Sequence, residues 1–366
     1  FEYAVLLLAV FAGYWFVPCR FQNLLLLVSS YVFYSYVDPK MALLLGSYTA
    51  LNYIAARRIE TDPNNARKYL WLAITAQLGA LAFFKYTGFF VESISEVLDT
   101  VGLANFESTL KIILPVGISF YTFQSLGYVI DVYTKRTFAR GSLIDTALFV
   151  SFFPQLVAGP IERASVLLPQ FERRRRFDAD RTASGISLIA WGLFKKLVIA
   201  DNIGMIVDRI FSSAEPGGTL LWVGVLAFGV QILADFSGYT DIARGSARIL
   251  GIELSVNFRH PWLATSPADF WRRWHITLSS WLRDYVYIPL GGNRNGRYSL
   301  ATSLVITFVL GGLWHGAAWN FVLWGLLHSS LILISRAASQ LKLNIPVMPA
   351  TLITFIIISA SWLLFR

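Results

Sequence analysis

Four histidines, His260, His275, His315 and His328, stand in this chain of 366 residues. His315 lies in Gly311-Gly312-Leu313-Trp314-His315-Gly316, between two apolar runs flanked by Arg297 and Arg336. That pattern predicts a helical hairpin. Arms of roughly 14–18 residues rise about 21–27 Å, short of the roughly 30 Å hydrocarbon core, which places His315 inside the bilayer depth. An imidazole there is costly unless it faces an internal cavity or a partner, so a functional site is the default reading and a packed, hydrogen-bonded histidine the alternative. The flanking glycines allow close helix approach. A base with a pKa near working pH can take the proton of an acceptor hydroxyl while that oxygen attacks a thioester carbonyl, and exclusion of bulk water limits hydrolysis. With basic loops on one side, this reading suggests acyl transfer from a phosphate-bearing donor.

His275 falls in a second recognisable segment. Ser266, Pro267 and Asp269 form a helix-start signal with an N-cap, a first-turn proline and a capping-box acid. From Ala264 to Tyr285 the pattern predicts one amphipathic helix lying in the interface. Phe270, Trp271, Trp274, Leu278, Trp281, Leu282 and Tyr285 fall within an arc of about 120°, and His275 sits at its border. A functional role and a plain amphipathic one are equally open for His275, while His260 and His328 read as structural. Asp131, Asp235, Asp241, Arg244 and Arg248 lie in or beside apolar runs and suggest buried ion pairs, with a substrate or ion pathway as the alternative; Lys195 and Lys196 are expected to snorkel, with attraction of a phosphate as the alternative. The hairpin carries no carboxylate and the chain no His-Glu-x-x-His motif, so no metal is expected; nucleotide-binding fingerprints are absent as well.

These residues must be positioned by membrane helices. The chain is 55% hydrophobic and only 14% charged, against about 25% charged in soluble domains, and its mean hydropathy is +0.56. The apolar runs are continuous rather than alternating, which argues against a barrel. An all-α polytopic integral membrane protein follows, with about 9–11 transmembrane or re-entrant helices plus interfacial amphipathic ones. Leu143–Val157, between basic segments, is expected to be re-entrant. The loops bearing Arg57, Arg58, Arg67 and Lys68, the stretch Glu162–Arg181, and Arg244–Arg297 are placed in the cytoplasm by their basic excess. The net charge of +9 therefore points to lipid sidedness and not to nucleic acid. The lone Cys19 forms no intramolecular disulfide and reads as packing. Residues 1–366 read as a single membrane domain, and a start at Phe1 and a stop inside an apolar run predict truncation at both ends.

Several stretches resemble the bacterial membrane-bound O-acyltransferases. They are Asp269-Phe-Trp-Arg-Arg-Trp-His275, Tyr287-Ile-Pro289-Leu-Gly291-Gly-Asn293 and Gly311-Gly-Leu-Trp314-His315-Gly316. Pro115–Gln124, Phe153–Ile161 and Asp235–Asp241 look similar to the same family, so the resemblance spans about Leu114 to Ser329. It implies the family's fold, with His315 as catalytic histidine and His275 as the second histidine of a reaction tunnel. Asp269, Arg273, Trp274, Asn293, Trp314 and Asn320 are the implied supports of that tunnel. The resemblance further implies no permanently bound cofactor and acetyl-CoA as donor substrate on the cytoplasmic side of a bacterial inner membrane. A periplasmic or membrane-anchored acetyltransferase would be the partner, acting on an exported polysaccharide. Alginate is favoured, with peptidoglycan O-acetylation or D-alanyl transfer to teichoic acid as alternatives. A transporter or flippase without acyl chemistry, or an assembly scaffold, is the rival class.

Overall fold

In lipid a chain can satisfy its backbone N–H and C=O groups only within a helix or a closed barrel, and all regular structure among the described residues is helical. The structure is a computed structural model. It describes residues 2–102, 112–213, 217–294, 296–341 and 345–366, with all their side chains except those of Val37 and Arg297. Among the described residues, six helices are long and apolar enough to cross a membrane. Large apolar side chains such as Leu8, Leu43, Trp71 and Ile186 are exposed on helix faces, as a lipid-facing surface requires.

Contacts divide the chain into two units, Phe1–Thr182 with Ala247–Glu253, and Ala183–Ser246 with Leu254–Arg366. The first holds α1 (Glu2–Tyr14), α2 (Cys19–Val37), α3 (Pro39–Thr61), α4 (Ala66–Thr100), α5 (Ile118–Tyr133), α6 (Leu143–Ser151) and α7 (Ala164–Glu172). The re-entrant expectation for Leu143–Val157 meets a nine-residue α6 that is too short to cross and is followed by turns. Neighbouring elements satisfy part of its broken backbone: Gln124 Nε2 donates to the Phe149 carbonyl, and the Phe153 amide donates to Ser30 Oγ at 3.1 Å. Gln155 Nε2 in turn donates to Gln124 Oε1 at 3.0 Å, which holds that side chain in place.

Ala179–Phe211 runs as α8 (Ala179–Leu193), a π-helical stretch (Phe194–Ala200) and α9 (Asp201–Phe211). After α10 (Gly218–Ile249) come the short α11 (Pro267–Arg273) and α12 (Ile276–Leu282), a second π turn (Arg283–Tyr287), α13 (Gly296–His315), α14 (Trp319–Gln340) and α15 (Val347–Ser361). Lys195 and Lys196 do not snorkel. Lys195 Nζ lies 2.5 Å from Asp241 Oδ2, and Lys196 Nζ lies 2.7 Å from both Asp201 Oδ1 and Asp235 Oδ1, because α10 presents Asp235 and Asp241 to the π stretch and the start of α9 adds Asp201. The expected ion pairing thus holds for Asp235, Asp241 and Arg244, whose Nη1 is 3.1 Å from Asp241, whereas Arg248 pairs instead with Glu253 at 2.8 Å.

The predicted hairpin is present as α13 and α14, but its arms have 20 and 22 residues. At about 1.5 Å per residue each reaches 30 Å or more, so the arms are longer than their apolar runs suggested. The reason is that polar residues such as Ser299 and Arg336–Gln340 continue the helices past the point where hydropathy falls. Lipid tails are as apolar as leucine, so such helices are held by close packing. A Cβ at Gly312 would sit 2.1 Å from the Phe321 carbonyl oxygen, and one at Gly325 would sit 2.3 Å from that of Phe308. No side chain fits there. Gly312→Ala and Gly325→Ala should each lower the melting temperature in detergent by several degrees, as overpacking of about 1–3 kcal/mol demands. Gly79→Ala, whose Cβ meets nothing within 4 Å, should leave it unchanged, and equal melting of all three variants would contradict the interlock.

Candidate active site

The helix expected to run from Ala264 to Tyr285 is broken at its centre. Its start matches the sequence signal: Ser266 Oγ accepts from the Asp269 amide at 3.1 Å, with Pro267 in the first turn. Asp269 reaches back to the Thr265 amide at 3.3 Å and pairs with Arg273 Nε at 3.0 Å. The helix then stops, and His275 takes left-handed backbone angles, φ 41° and ψ 54°. For a side chain with a Cβ this costs about 1–2 kcal/mol. The segment before α11 offsets it: the Asn257 carbonyl accepts from the Ile276 amide at 3.0 Å, and Asn257 Oδ1 accepts from the Thr277 amide at 3.1 Å and Thr277 Oγ1 at 2.8 Å. On the other side of the break, the Arg259 amide donates to the Arg273 carbonyl at 2.9 Å. The interfacial helix of the sequence reading is therefore two short helices, clamped at the break by hydrogen bonds that local periodicity cannot report.

The break turns the border residue inward. His275 is fully buried, its ring centroid 4.6 Å from Phe236, 5.5 Å from Trp314 and 6.5 Å from His315. Neither of its ring nitrogens has a hydrogen-bond partner among the described residues. Burial, with the neighbouring His315 adding to it, holds its pKa well below the usual range of an imidazole, so it stays neutral at working pH.

His315 is the last residue of α13. Trp314, Phe365 and Trp324 surround it at ring distances of 5.0, 5.0 and 5.3 Å. It lines a cavity of about 310 Å³ beside the α13–α14 seam. On α13 the wall is a single helical stripe, Leu304, Thr307, Phe308, Gly311 and His315, which spans about 17 Å at 1.5 Å per residue. Arg336, twelve residues past Trp324 on the antiparallel arm, lies toward the opposite end, where its Nη1 donates to Asn293 Oδ1 at 3.2 Å and Tyr287 OH donates to the same oxygen at 2.7 Å. Arg272 and Arg283 also line the space, and among the described residues no carboxylate does. A long anionic reagent fits such a slot with its reacting end at the imidazole.

Of the residues singled out in the sequence, His315, Trp314 and His275 come together, and Asn293 lines the same cavity. His275 lies behind Trp314 and His315 and is not among the residues lining the cavity. Asp269 and Arg273 hold α11 to its cap, Trp274 stacks on Phe270 at 5.4 Å, and Asn320 Nδ2 donates to the Leu364 carbonyl at 3.0 Å. These four sit outside the cavity wall. Arg272, Arg283 and Trp324 are not among the residues singled out in the sequence, where Arg336 reads only as a flanking charge; the five-residue stripe on α13 is the signal that leads to this face. His328 is structural as expected: Trp271 Nε1 donates to its Nδ1 at 3.3 Å and its Nε2 lies 3.0 Å from Ser361 Oγ.

Residues 136–365, which include this whole arrangement, match the membrane-bound O-acyltransferase family. The chain belongs to that family. Like other membrane-bound O-acyltransferases, it is an acyl-transferring enzyme of the membrane. It is 40% identical to a probable alginate O-acetylase of Azotobacter vinelandii, over 99% of this chain and 73% of that protein. A peptidoglycan O-acetyltransferase of Helicobacter pylori is 38% identical over 94% of this chain and 71% of its own length. The teichoic acid D-alanyltransferase of Streptococcus thermophilus is more distant within this O-acyltransferase family, at 28% over 63% of this chain.

The neutral His275 carries a pH signature. An unfolded histidine takes up a proton near pH 6.5, whereas the folded one resists it, so stability present above that pH is lost as pH falls, by at most about 1.4 kcal/mol per unit. The melting temperature in detergent should therefore drop more steeply between pH 7 and 5 in the wild type than in His275→Gln. Parallel slopes would contradict a buried, neutral ring.

Proposed function

We propose that this enzyme moves acetyl groups from acetyl-CoA, bound from the cytoplasmic side, to an acceptor on the pathway of an exported polysaccharide. The observation that carries the reading is His315 at one end of a cavity lined, among the described residues, by three arginines and no carboxylate. The arginines suit the phosphates of the donor, and the apolar wall between them and His315 suits its pantetheine arm. The imidazole takes the proton of the acceptor hydroxyl as its oxygen attacks the thioester carbonyl; the carbon–sulfur bond breaks, and the proton passes to the leaving thiolate. His275, neutral, buried one ring further back and off the cavity wall, packs behind His315 and fixes where that ring sits. Trp314 packs against both rings, at 5.5 and 5.0 Å, and Asn293 holds Arg336 toward the donor's charged end.

The full-length likeness to an alginate O-acetylase favours alginate as the eventual polymer, and the Helicobacter pylori relative keeps peptidoglycan as the alternative. D-alanyl transfer is less favoured because that relative matches a smaller part of the chain. The bacterial inner membrane is the setting, and a periplasmic or membrane-anchored acetyltransferase is the partner that would pass acetyl to the polymer. Against a transporter without acyl chemistry stands the mutual pairing of the charges on α8–α10, which leaves no row of free charges along a path.

Purified protein given labelled acetyl-CoA and its partner should release CoA and transfer label. His315→Ala should lose at least about a hundredfold in kcat, the usual share of a general base. Arg336→Gln should raise the KM for acetyl-CoA about tenfold with kcat nearly kept. Label transfer surviving in His315→Ala would overturn the assignment.

A further inference from the structure

A second cavity, of about 410 Å³, opens between the π stretch after α8, α10 and the segment 256–262. Its lining charges are Lys195, Asp241 and Arg244, whose side chains are only 12%, 16% and 18% exposed. One carboxylate serves two cations: Lys195 Nζ donates to Asp241 Oδ2 at 2.5 Å and to Ser237 Oγ at 3.0 Å, and Arg244 Nη1 donates to Asp241 Oδ1 at 3.1 Å. A formal excess of one positive charge is left in a largely apolar surround, a costly arrangement unless an anion completes it.

The spare hydrogen-bonding capacity has the same sign. Asn257 is 1% exposed and lines this cavity; its Oδ1 is fully engaged by Thr277, while its Nδ2 has no acceptor among the described residues. Arg244 Nε is a second buried donor without one. The remaining wall is aromatic and aliphatic, with Trp191, Trp262, Phe258 and Leu233. Donors without acceptors, an uncompensated cation and an apolar wall between membrane helices describe a receptor for a phosphate carried on a greasy chain.

We infer that this cavity binds the headgroup of one anionic phospholipid, from the leaflet that faces the basic Arg244–Arg297 stretch. Lys195 and Arg244 meet the phosphate, Asn257 Nδ2 donates to it, and an acyl chain follows the apolar wall. Because Asn257 also clamps the break at His275, an occupied cavity stiffens the turn that holds this histidine.

The test uses the delipidated full chain in neutral detergent, titrated with phosphatidylglycerol, phosphatidylcholine or inorganic phosphate, with bound lipid counted by native mass spectrometry. One phosphatidylglycerol should bind at least tenfold more tightly than phosphatidylcholine or phosphate alone. Arg244→Gln and Asn257→Asp should each weaken it at least tenfold, the latter while keeping the acceptor for Thr277, and Asp241→Asn, by removing the shared carboxylate, should tighten it. Equal binding of phosphatidylcholine would reduce the cavity to an apolar groove, and equal binding of inorganic phosphate would remove the lipid; either overturns the proposal. So would wild-type affinity in both weakening variants. Where a variant fails to fold, the comparison among the three wild-type titrations still decides. No donor is present in these titrations, so their failure leaves the acetyl-transfer reading untouched.

Discussion

The backbones of α13 and α14 approach so closely at Gly312 and Gly325 that a single methyl group would collide with a carbonyl oxygen. Everything at the candidate site depends on that contact. It brings Trp324 of one arm against the ring of His315 on the other, and it leaves a slot on the adjoining face whose α13 wall repeats every three or four residues. Because lipid supplies no hydrophobic drive between helices, the shape of this seam is what holds the imidazole in place.

A second constraint acts from behind. His275 is driven into a left-handed turn and sealed among Phe236, Trp314 and His315, with backbone strain and unsatisfied ring nitrogens as the cost. Structures retain such arrangements where the surroundings over-determine them, and Asn257 does so here with three accepted hydrogen bonds. The result is a pair of imidazoles 6.5 Å apart, the rear one held neutral and the front one facing the cavity. Under the proposed function that asymmetry suits the front ring, and not the rear one, to carry the acceptor's proton.

How much of this was legible in the sequence follows the range of the interactions. The hairpin and its histidine were readable because glycines, tryptophan and histidine are contiguous and the flanking charges mark the ends. The start of α11 was readable because a cap is decided within four residues. The break at His275 was not, since the group that stabilises it is Asn257, and periodicity carries no record of a clamp from another segment. The pairing of Lys195 and Lys196 was hidden for the same reason: Asp235 and Asp241 stand on α10, and only Asp201 is close by in sequence. The arm lengths of the hairpin were underestimated because hydropathy measures composition, and a helix continues through polar turns. Asp269, Arg273 and Trp274 belong to the motif that signals the family, yet they brace α11 and sit away from the cavity wall.

The central claim is that a thioester donor reaches His315 along the arginine-lined slot. Bromoacetyl-CoA, which places an alkylating carbon where the acetyl group would lie, tests it most directly, with peptide mass spectrometry locating the adduct. The account predicts a single adduct on His315, suppressed by excess acetyl-CoA and lost when Arg336 is replaced by glutamate. Acetyl-CoA-protected alkylation at another residue, with His315 unmodified, would contradict it.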